Sequence, residues 1–358
     1  MRFLFFLFLE IKKADVFFST CTNGCVRCGA RRYLEYFINL VVRKTFNVAF
    51  SISPVSQEGL DIIVLKDNST GTEVQVVPAH GAMLHAFVVQ HKGQPLNVID
   101  SYKNIAALKA DLTNSFKNVK LSPFACRMTD RQYNWNGQHY EILKSDIHGL
   151  LFDVSFELVQ QTAIESYAAI TLQYTYRADD AGYPFNYDCL VEYRLLPEHQ
   201  LAVTTTLENH SHVPIPIMDG WHPYFTTGGS IDALELQFAA THLVAFNEKL
   251  LPTGQLLPYD KFRQRSTLTG VELDNSFLRD LAKPAPAAGL YDPEKGLAIE
   301  FYPDASYPVL QVYTPPHRRS IAVECLSGAP DAFNNKIGLV QLSPGESKTF
   351  RTTYKIRQ

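Results

Sequence analysis

Residues 200–208 read Gln-Leu-Ala-Val-Thr-Thr-Thr-Leu-Glu, and this strict alternation of side chains decides the fold class. In an extended chain the odd-numbered side chains from Leu201 to Leu207 share one face, which is mostly aliphatic. The even-numbered side chains from Ala202 to Glu208 share the other face, which is mostly polar. Residues 350–357, Phe-Arg-Thr-Thr-Tyr-Lys-Ile-Arg, repeat the pattern with an apolar face opposite a charged one. Strands with one buried and one exposed face predict an antiparallel sheet.

Comparable short runs recur along residues 51–358, and turn-forming residues such as Asp67-Asn68 and Pro344-Gly345-Glu346 separate them. Helical spacing of apolar residues is confined to Ile105, Leu108, Leu112 and Phe116, which predicts one short helix. Many short strands with little helix predict an all-β fold, a large antiparallel β-sandwich. Besides the two strands above, we predict strands over 60–66, 72–77, 83–90, 139–144, 151–159, 164–176, 187–196, 234–246, 297–302, 308–313, 320–325 and 339–343.

Composition and charge exclude two classes of partner. The chain has 358 residues, 46% of them hydrophobic and 19% charged, which is typical of a soluble globular protein with a sizeable core. The net charge of −3 gives no electrostatic attraction to a polyanion, so we predict no nucleic-acid partner. No stretch approaches the roughly 20 apolar residues that a membrane-spanning helix requires. We therefore predict no membrane insertion.

Residues 1–50 differ in composition from the rest of the chain. They contain eight Lys/Arg against three Asp/Glu and no proline, whereas residues 51–358 contain 25 against 33 and all 20 prolines. We predict an atypical N-terminal extension over 1–50 and one sandwich domain over 51–358. The apolar run 3–9 follows Arg2 as in a signal peptide, but no small-residue cleavage site follows it. This favours a cytoplasmic location; a secreted or periplasmic one would require residues 1–20 to act as a signal.

Three of the six cysteines, Cys21, Cys25 and Cys28, lie in this extension with the spacing C-x3-C-x2-C. Thiolates at this spacing hold iron–sulfur clusters in radical-SAM enzymes, which surround the cluster with an α/β barrel. The strand-rich sequence downstream does not predict such a barrel. The remaining three cysteines are scattered singly, so the set does not form a disulfide framework. We therefore predict no iron–sulfur cluster at these cysteines.

The segment 208–225 carries the densest set of chemically active side chains. It reads Glu-Asn-His-Ser-His-Val-Pro-Ile-Pro-Ile-Met-Asp-Gly-Trp-His-Pro-Tyr-Phe and follows the strand of residues 200–208 directly. A rigid, proline-rich connection that presents polar groups beside aromatic rings suits a sugar, because C–H faces pack on rings and hydroxyls bond His, Asp and Arg. We interpret His210 and His212 as exposed loop residues without a role.

Residues 209–225 resemble the segment N-x-[ST]-x-x-P…H-P-Y-F of the aldose 1-epimerase family, with His222 as its histidine. The resemblance extends in order over about residues 55–356. Its other parts are Ser122–Arg127 with Tyr133–Tyr140, similar to G-P-F-x-N-R…x-G-x-x-Y; His148-Gly149, similar to the H-G of L-H-G-G; Leu273–Phe277, similar to D-x-x-F; and Ile321–Asn334, similar to E…P-D-A-x-N.

The resemblance implies a galactose mutarotase-like sandwich with its site on the concave face of one sheet. Independently, alternation within 320–325 places Glu324 on the face opposite Val323 and Cys325, as a carboxylate aimed into a cleft requires. The resemblance implies that the protein interconverts the α and β anomers of a small-molecule aldose of the glucose or galactose type. It assigns Glu324 as the base, His222 as the acid and His148 as a further catalytic group, and it assigns substrate binding to Arg127, Asp274 and Tyr224. Because one acid and one base suffice for this reaction, the resemblance also implies no metal and no organic cofactor.

Departures from the family pattern leave the preferred aldose open. Cys126 stands where asparagine usually precedes the arginine, Asn275 stands where histidine is common, and the second glycine after His148 is missing. A hexose-6-phosphate mutarotase is an alternative and would need a basic pocket, for which Arg263, Arg265, Arg318 and Arg319 are candidates. A non-catalytic carbohydrate-binding protein is a second alternative, but binding alone does not require an acid and a base. The sequence is compatible with a monomer or a homodimer.

Overall fold

The structure, a computed structural model, describes residues 49–283 and 285–358. Residues 1–48, which make up nearly all of the predicted extension, lie outside this range. In the described ranges antiparallel strands dominate, and no helix there is long and apolar enough to cross a membrane. The all-β prediction is confirmed.

The first sheet is built from five consecutive strands in chain order, each antiparallel to the next. The turn between its second and third strands is closed by the buried Asp67, whose carboxylate accepts hydrogen bonds from the hydroxyls of Ser69 and Thr70. Such a side-chain turn allows the chain to reverse without leaving backbone groups unpaired. The strands are β1 (Phe50–Gln57), β2 (Leu60–Asp67), β3 (Thr72–Val77), β4 (Met83–His91) and β5 (Gln94–Asn97).

The second sheet has nine strands and contains the two segments whose alternation predicted the fold. In β12 (Gln200–Asn209) every second side chain from Leu201 to Asn209 is buried, as the alternation predicts. The strands in spatial order are β19 (Ser266–Thr267), β16 (Glu235–Phe238), β21 (Ala288–Asp292), β22 (Leu297–Phe301), β26 (Ser347–Arg357), β12 (Gln200–Asn209), β11 (Asn186–Leu196), β10 (Ala168–Arg177) and β9 (Glu157–Ala163).

The third sheet has eight strands and positions most of the predicted site residues. Its strands in spatial order are β18 (Pro252–Pro258), β17 (Ala240–Phe246), β20 (Asp274–Arg279), β23 (Val309–Tyr313), β24 (Ile321–Leu326), β14 (Gly220–Trp221) and β6 (Lys120–Leu121), with β15 (Tyr224–Phe225) also pairing with β24. Two further pairs join β7 (Gln132–Trp135) to β8 (Gln138–Glu141) and β13 (Ile215–Ile217) to β25 (Val340–Leu342).

The eight-stranded and nine-stranded sheets pack against each other through large apolar side chains. The ring of Phe225 contacts Phe301 and Tyr354 of the other sheet, with ring centroids 4.9 and 5.4 Å apart. Cys325 also points across this interface, and its Sγ lies 3.9 Å from Oγ1 of Thr352. Removing such side chains from water stabilises the fold by about 1.5–3 kcal/mol each. One face of the eight-stranded sheet therefore packs in the core between the sheets, and a site can form only on its other face.

The predicted helix is present as α1 (Ile105–Ser115), and its buried side chains are Leu108 and Leu112. The amide oxygen of Asn104 accepts the N–H of Ala107 and caps its first turn. The helix ends at Phe116, which has a left-handed backbone with φ of 50°. The other helical segments described are α2 (Ala332–Asn335) and the 3₁₀ turns Thr129–Arg131 and Ile231–Ala233.

Four strand predictions were wrong in extent by three residues or more. The run 139–144 ends as a strand at Glu141, and the run 164–176 becomes a strand only at Ala168. The other two runs cross a change of pairing. The run 234–246 is divided between β16 and β17, which belong to different sheets, because the chain changes sheet at Ala239. The run 151–159 is extended strand only from Glu157, where β9 begins at the sheet edge. In both cases a regular alternation of side chains continues through a point where the backbone changes its hydrogen-bonding partner.

Candidate active site

All six residues that the sequence assigned to the site line one cavity of about 180 Å³. They come from parts of the chain as far apart as Arg127 and Glu324, so the fold brings together what the sequence separates. The cavity lies against the face of the eight-stranded sheet that is turned away from the nine-stranded sheet. Its walls also include Phe116 at the end of α1 and Gln311 of β23.

Glu324 reaches the cavity because of its place in β24. Its neighbour Cys325 faces Thr352 of the opposite sheet, so the alternation of the strand turns Glu324 to the other side. The residue is only 1% exposed, and one carboxylate oxygen, Oε2, has no hydrogen-bond partner among the described residues. A buried carboxyl with an unused oxygen is suited to contact a bound ligand.

His222 lies between the short strands β14 and β15 and is held from both sides by Asn118. The N–H of Asn118 donates to the carbonyl of His222 at 2.9 Å, and its side-chain oxygen accepts the N–H of Tyr224 at 2.8 Å. The imidazole stacks on the ring of Tyr224, with centroids 4.9 Å apart and planes 5° apart. Its Nε2 lies 3.6 Å from Oε1 of Glu324. The predicted acid and base are therefore neighbours in the same cavity.

His148 is placed by a tight backbone contact between two loops. Its N–H donates to the carbonyl of Cys126 at 3.0 Å, and both residues have a left-handed backbone. Next to it, Gly149 approaches the carbonyl of Ser122 so closely that a Cβ would lie 2.3 Å from the oxygen. The edge of the His148 ring contacts His222, with centroids 4.7 Å apart and planes 75° apart. The glycine thus permits the approach that brings the second histidine to the first.

Asp274 and Gln311 form a hydrogen-bonded pair beside Glu324. The side-chain amide of Gln311 donates to Oδ1 of Asp274 at 2.9 Å, and its carbonyl oxygen accepts from the buried hydroxyl of Ser276. In the β23–β24 register Gln311 is directly opposite Glu324. The sequence prediction missed Gln311. The sequence feature that could have revealed Gln311 is its position as the one polar side chain on the face that it shares with Val309 and Tyr313, in an otherwise apolar strand.

Arg127 is the one lysine or arginine side chain among the described residues that line the cavity. The arginines considered for a phosphate site do not line it. Arg318 pairs with Asp232 at 2.6 Å, and Arg265 stacks on the ring of Tyr291 with its Cζ 3.6 Å from the centroid. The basic pocket that a sugar phosphate would need is therefore not formed by those residues.

Burial shifts the pKa values of the titratable side chains that line the cavity. It raises the pKa of Glu324 well above its ordinary value, and the nearby Asp274 carboxylate raises it further. It lowers the pKa of His222 to about 4. It also lowers the pKa of His148 well below the usual value, with smaller contributions from His222 and Arg127. Without a ligand, the Glu324 carboxyl and the His222 imidazole therefore both favour their neutral forms.

Comparisons with known proteins identify a family for this chain. The family model described as Aldose 1-epimerase matches residues 61–355. An uncharacterized protein of Escherichia coli, YihR, is 28% identical over 239 residues, which cover 63% of this chain and 74% of that protein. Maltose epimerase of Levilactobacillus brevis is 24% identical over 262 residues, covering 66% and 75%. Both alignments include most of the relative.

The fold also matches solved structures. A galactose mutarotase-like protein from Clostridium acetobutylicum superposes with a TM-score of 0.77 and 15% identity, covering 87% of this chain and 100% of that one. This likeness supports the mutarotase-like sandwich. The family match, which spans the described cavity and its residues, supports a sugar epimerase, an isomerase by reaction class. The chain therefore belongs to the aldose 1-epimerase family.

Proposed function

We propose that this enzyme interconverts the α and β anomers of a free hexose, with Glu324 as the base and His222 as the acid. The observation that carries the proposal is the buried pair itself, with Nε2 of His222 3.6 Å from Oε1 of Glu324 at the wall of a small polar cavity. A binding protein needs hydrogen bonds to its sugar but no proton-transferring pair. The pair therefore favours catalysis over the non-catalytic alternative.

The reaction needs one proton to leave and one to arrive. The Glu324 carboxylate takes the proton of the C1 hydroxyl, and C1 and the hydroxyl oxygen form a carbonyl. The C1–O5 bond breaks, and the electron pair of this bond goes to O5. O5 then takes a proton from the His222 imidazolium. The product is the open-chain aldehyde. After rotation about C1–C2, O5 attacks the other face of the carbonyl and both protons return. General acid–base catalysis of this kind contributes typically about 10²–10⁴-fold.

The reaction starts from the Glu324 carboxylate and the His222 imidazolium, whereas burial favours the neutral carboxyl and the neutral imidazole. Both states of this pair hold the same number of protons, one. Moving this proton from the Glu324 carboxyl to the His222 imidazole produces the reactive form. A bound sugar supports the move, because its C1 hydroxyl donates to the carboxylate and its ring oxygen accepts from the imidazolium. Charge thus develops where the substrate can stabilise it.

The remaining side chains bind and orient the sugar in this proposal. Arg127 donates to hydroxyl oxygens, the carboxylate of Asp274 accepts from hydroxyls, and Tyr224 offers a ring face beside His222. His148 donates near the ring oxygen. The cavity has one arginine against the carboxyl groups of Asp274 and Glu324, which suits a neutral sugar better than a phosphorylated one.

Polarimetry of freshly dissolved sugars tests the function. We expect the protein to accelerate the optical rotation change of α-glucose or α-galactose over buffer and to leave that of glucose 6-phosphate near the buffer rate. Maltose is included because a relative carries the name maltose epimerase. No acceleration with any free sugar, or acceleration of the phosphorylated sugar alone, would contradict the proposal.

A further inference from the structure

Three potential metal ligands converge in the cavity. The thiol of Cys126, the imidazole of His148 and the carboxyl of Glu324 each offer one ligand atom, and these atoms all lie within 4.8 Å of one another. All three residues are buried, with exposures of 7%, 6% and 1%. They come from three separate segments, which the fold rather than the local sequence brings together.

Two of these groups have polar atoms that the described part of the protein leaves unpaired. They are Nδ1 of His148 and Oε2 of Glu324, both fully shielded from solvent. Buried polar atoms without partners are rare in folded proteins and indicate a place where a ligand or ion can contribute bonds. The hydrogen bond from the His148 N–H to the Cys126 carbonyl, 3.0 Å long, fixes two of the three ligand residues relative to each other.

The donor set selects the kind of metal. A thiolate, an imidazole and a carboxylate suit Zn²⁺, which binds three protein ligands tetrahedrally and keeps a fourth position for water, at about 2.3 Å from sulfur and about 2.0 Å from nitrogen. Closing the present cluster to these lengths needs movements of about 1 Å per ligand atom. Mg²⁺ and Ca²⁺ prefer oxygen ligands and are disfavoured by the thiolate. The charge of Arg127 opposes any cation here, and that of Asp274 favours one.

We propose that Cys126, His148 and Glu324 form a binding site for a thiophilic divalent cation, represented by Zn²⁺, that competes with the sugar. The metal site is argued from the positions of these three residues and does not depend on the proposed function. The competition rests on the proposed function, because a carboxylate that is bound to zinc cannot take the proton of the C1 hydroxyl. The enzyme is then reversibly inhibited by free Zn²⁺.

The test uses full-length protein with Cys21, Cys25 and Cys28 each replaced by serine, called the reference chain, so that the N-terminal cysteines do not contribute. Co²⁺ is titrated as a spectroscopic probe and Zn²⁺ is then added as a competitor. We expect one metal per chain, with the near-ultraviolet charge-transfer band of a cobalt–thiolate bond. Cys126→Ser should abolish the band and weaken Zn²⁺ binding by more than about 10-fold. His148→Ala should weaken it similarly.

Cys325→Ser is the matched control, because Cys325 is also a buried free cysteine but faces the opposite sheet. It should keep the band and the affinity. Glucose should raise the Zn²⁺ concentration that half-saturates the reference chain. Absence of a cobalt–thiolate band in the folded reference chain, or equal Zn²⁺ affinity in Cys126→Ser, would overturn the site. Because the spectra need no turnover, metal binding without any mutarotation would refute the proposed function and leave the metal site standing.

Discussion

Glu324 and His222 are buried where charge on either group is costly, and this changes which group should control each limb of the pH profile. The neutral pair holds one proton, on the Glu324 carboxyl. The His222 imidazole, with its pKa lowered to about 4, binds a second proton only below that pH. The Glu324 carboxyl, with its pKa raised, loses the shared proton only well above its ordinary value. The one-proton state is populated between these limits.

We therefore predict a bell-shaped kcat/KM profile whose acid limb lies near pH 4 and reports His222, and whose alkaline limb reports Glu324. With ordinary pKa values the assignment would be the reverse. The measurement is kcat/KM by polarimetry across pH in the presence of a chelator, together with a proton NMR titration of the histidines, assigned with His222→Asn. A His222 signal that titrates near pH 6.5 would contradict this account.

The two histidines should respond differently to replacement, although their rings touch. His222→Asn should lower kcat by about 10²–10⁴-fold with little change in KM, because O5 needs a proton only as the C1–O5 bond breaks. His148→Asn should raise KM and lower kcat together, because it contacts the sugar in both states. Steady-state kinetics with α-glucose separates the two constants. Identical behaviour of the variants would remove the basis for naming His222 as the acid.

At the scale of elements, the loop contact at Gly149 should be essential because it brings His148 to His222. Gly149 has φ of +79°. Gly137 has nearly the same φ of +77°, but apart from its chain neighbours no atom of the described residues lies within 4 Å of the point that a Cβ would occupy. We predict that Gly137→Ala costs only the backbone penalty of about 1–2 kcal/mol. Gly149→Ala should cost about 1–3 kcal/mol more, because its Cβ meets the carbonyl of Ser122.

Urea unfolding measures both costs, and polarimetry of the folded variants measures the effect on the site. Gly149→Ala should also lose activity, since relieving the clash moves His148, while Gly137→Ala should keep it. Equal losses of stability in the two variants would show that the close approach at Gly149 is not maintained in solution.

Long, regularly alternating elements were predictable from the sequence. The strand 72–77 matches its prediction in both bounds, and β11 begins only one residue before its predicted start. Short strands such as β14 and β15 were missed because two residues are too few to show a period. The pairing of Gln311 with Asp274 was also missed, because it depends on the register between strands that are distant in the chain. The alternation of side chains also does not show which sheet a strand joins. The run 234–246 alternates throughout, yet the chain changes sheet at Ala239.

The predicted site residues were identified through local motifs rather than through periodicity. Their motifs named Glu324, His222 and His148, and the structure places all three in one cavity. The protonation of the site was not predictable in the same way. It depends on burial, which is contributed by residues from the whole sandwich, and reference pKa values contain no information about it.

At the scale of the whole molecule, the described residues that line the cavity all lie between Asn114 and Pro330. Residues 1–48 lie outside the described range, and their composition differs from that of the domain. We predict that deleting residues 1–48, which leaves the buried Phe50 of β1 in place, preserves both stability and mutarotation. Thermal unfolding and polarimetry of the shortened protein test this. An insoluble or inactive product would show that the extension belongs to the working enzyme.

The central claim is that the molecule is an enzyme whose buried Glu324 moves a proton, and Glu324→Gln tests it most directly. The amide keeps the size and the hydrogen-bonding capacity of the carboxyl but cannot take the C1 hydroxyl proton. Mutarotation of α-glucose by polarimetry should fall by about 10²–10⁴-fold, while glucose affinity by calorimetry stays within a few-fold of the wild type. Undiminished mutarotation in Glu324→Gln, with sugar binding intact, would contradict the account.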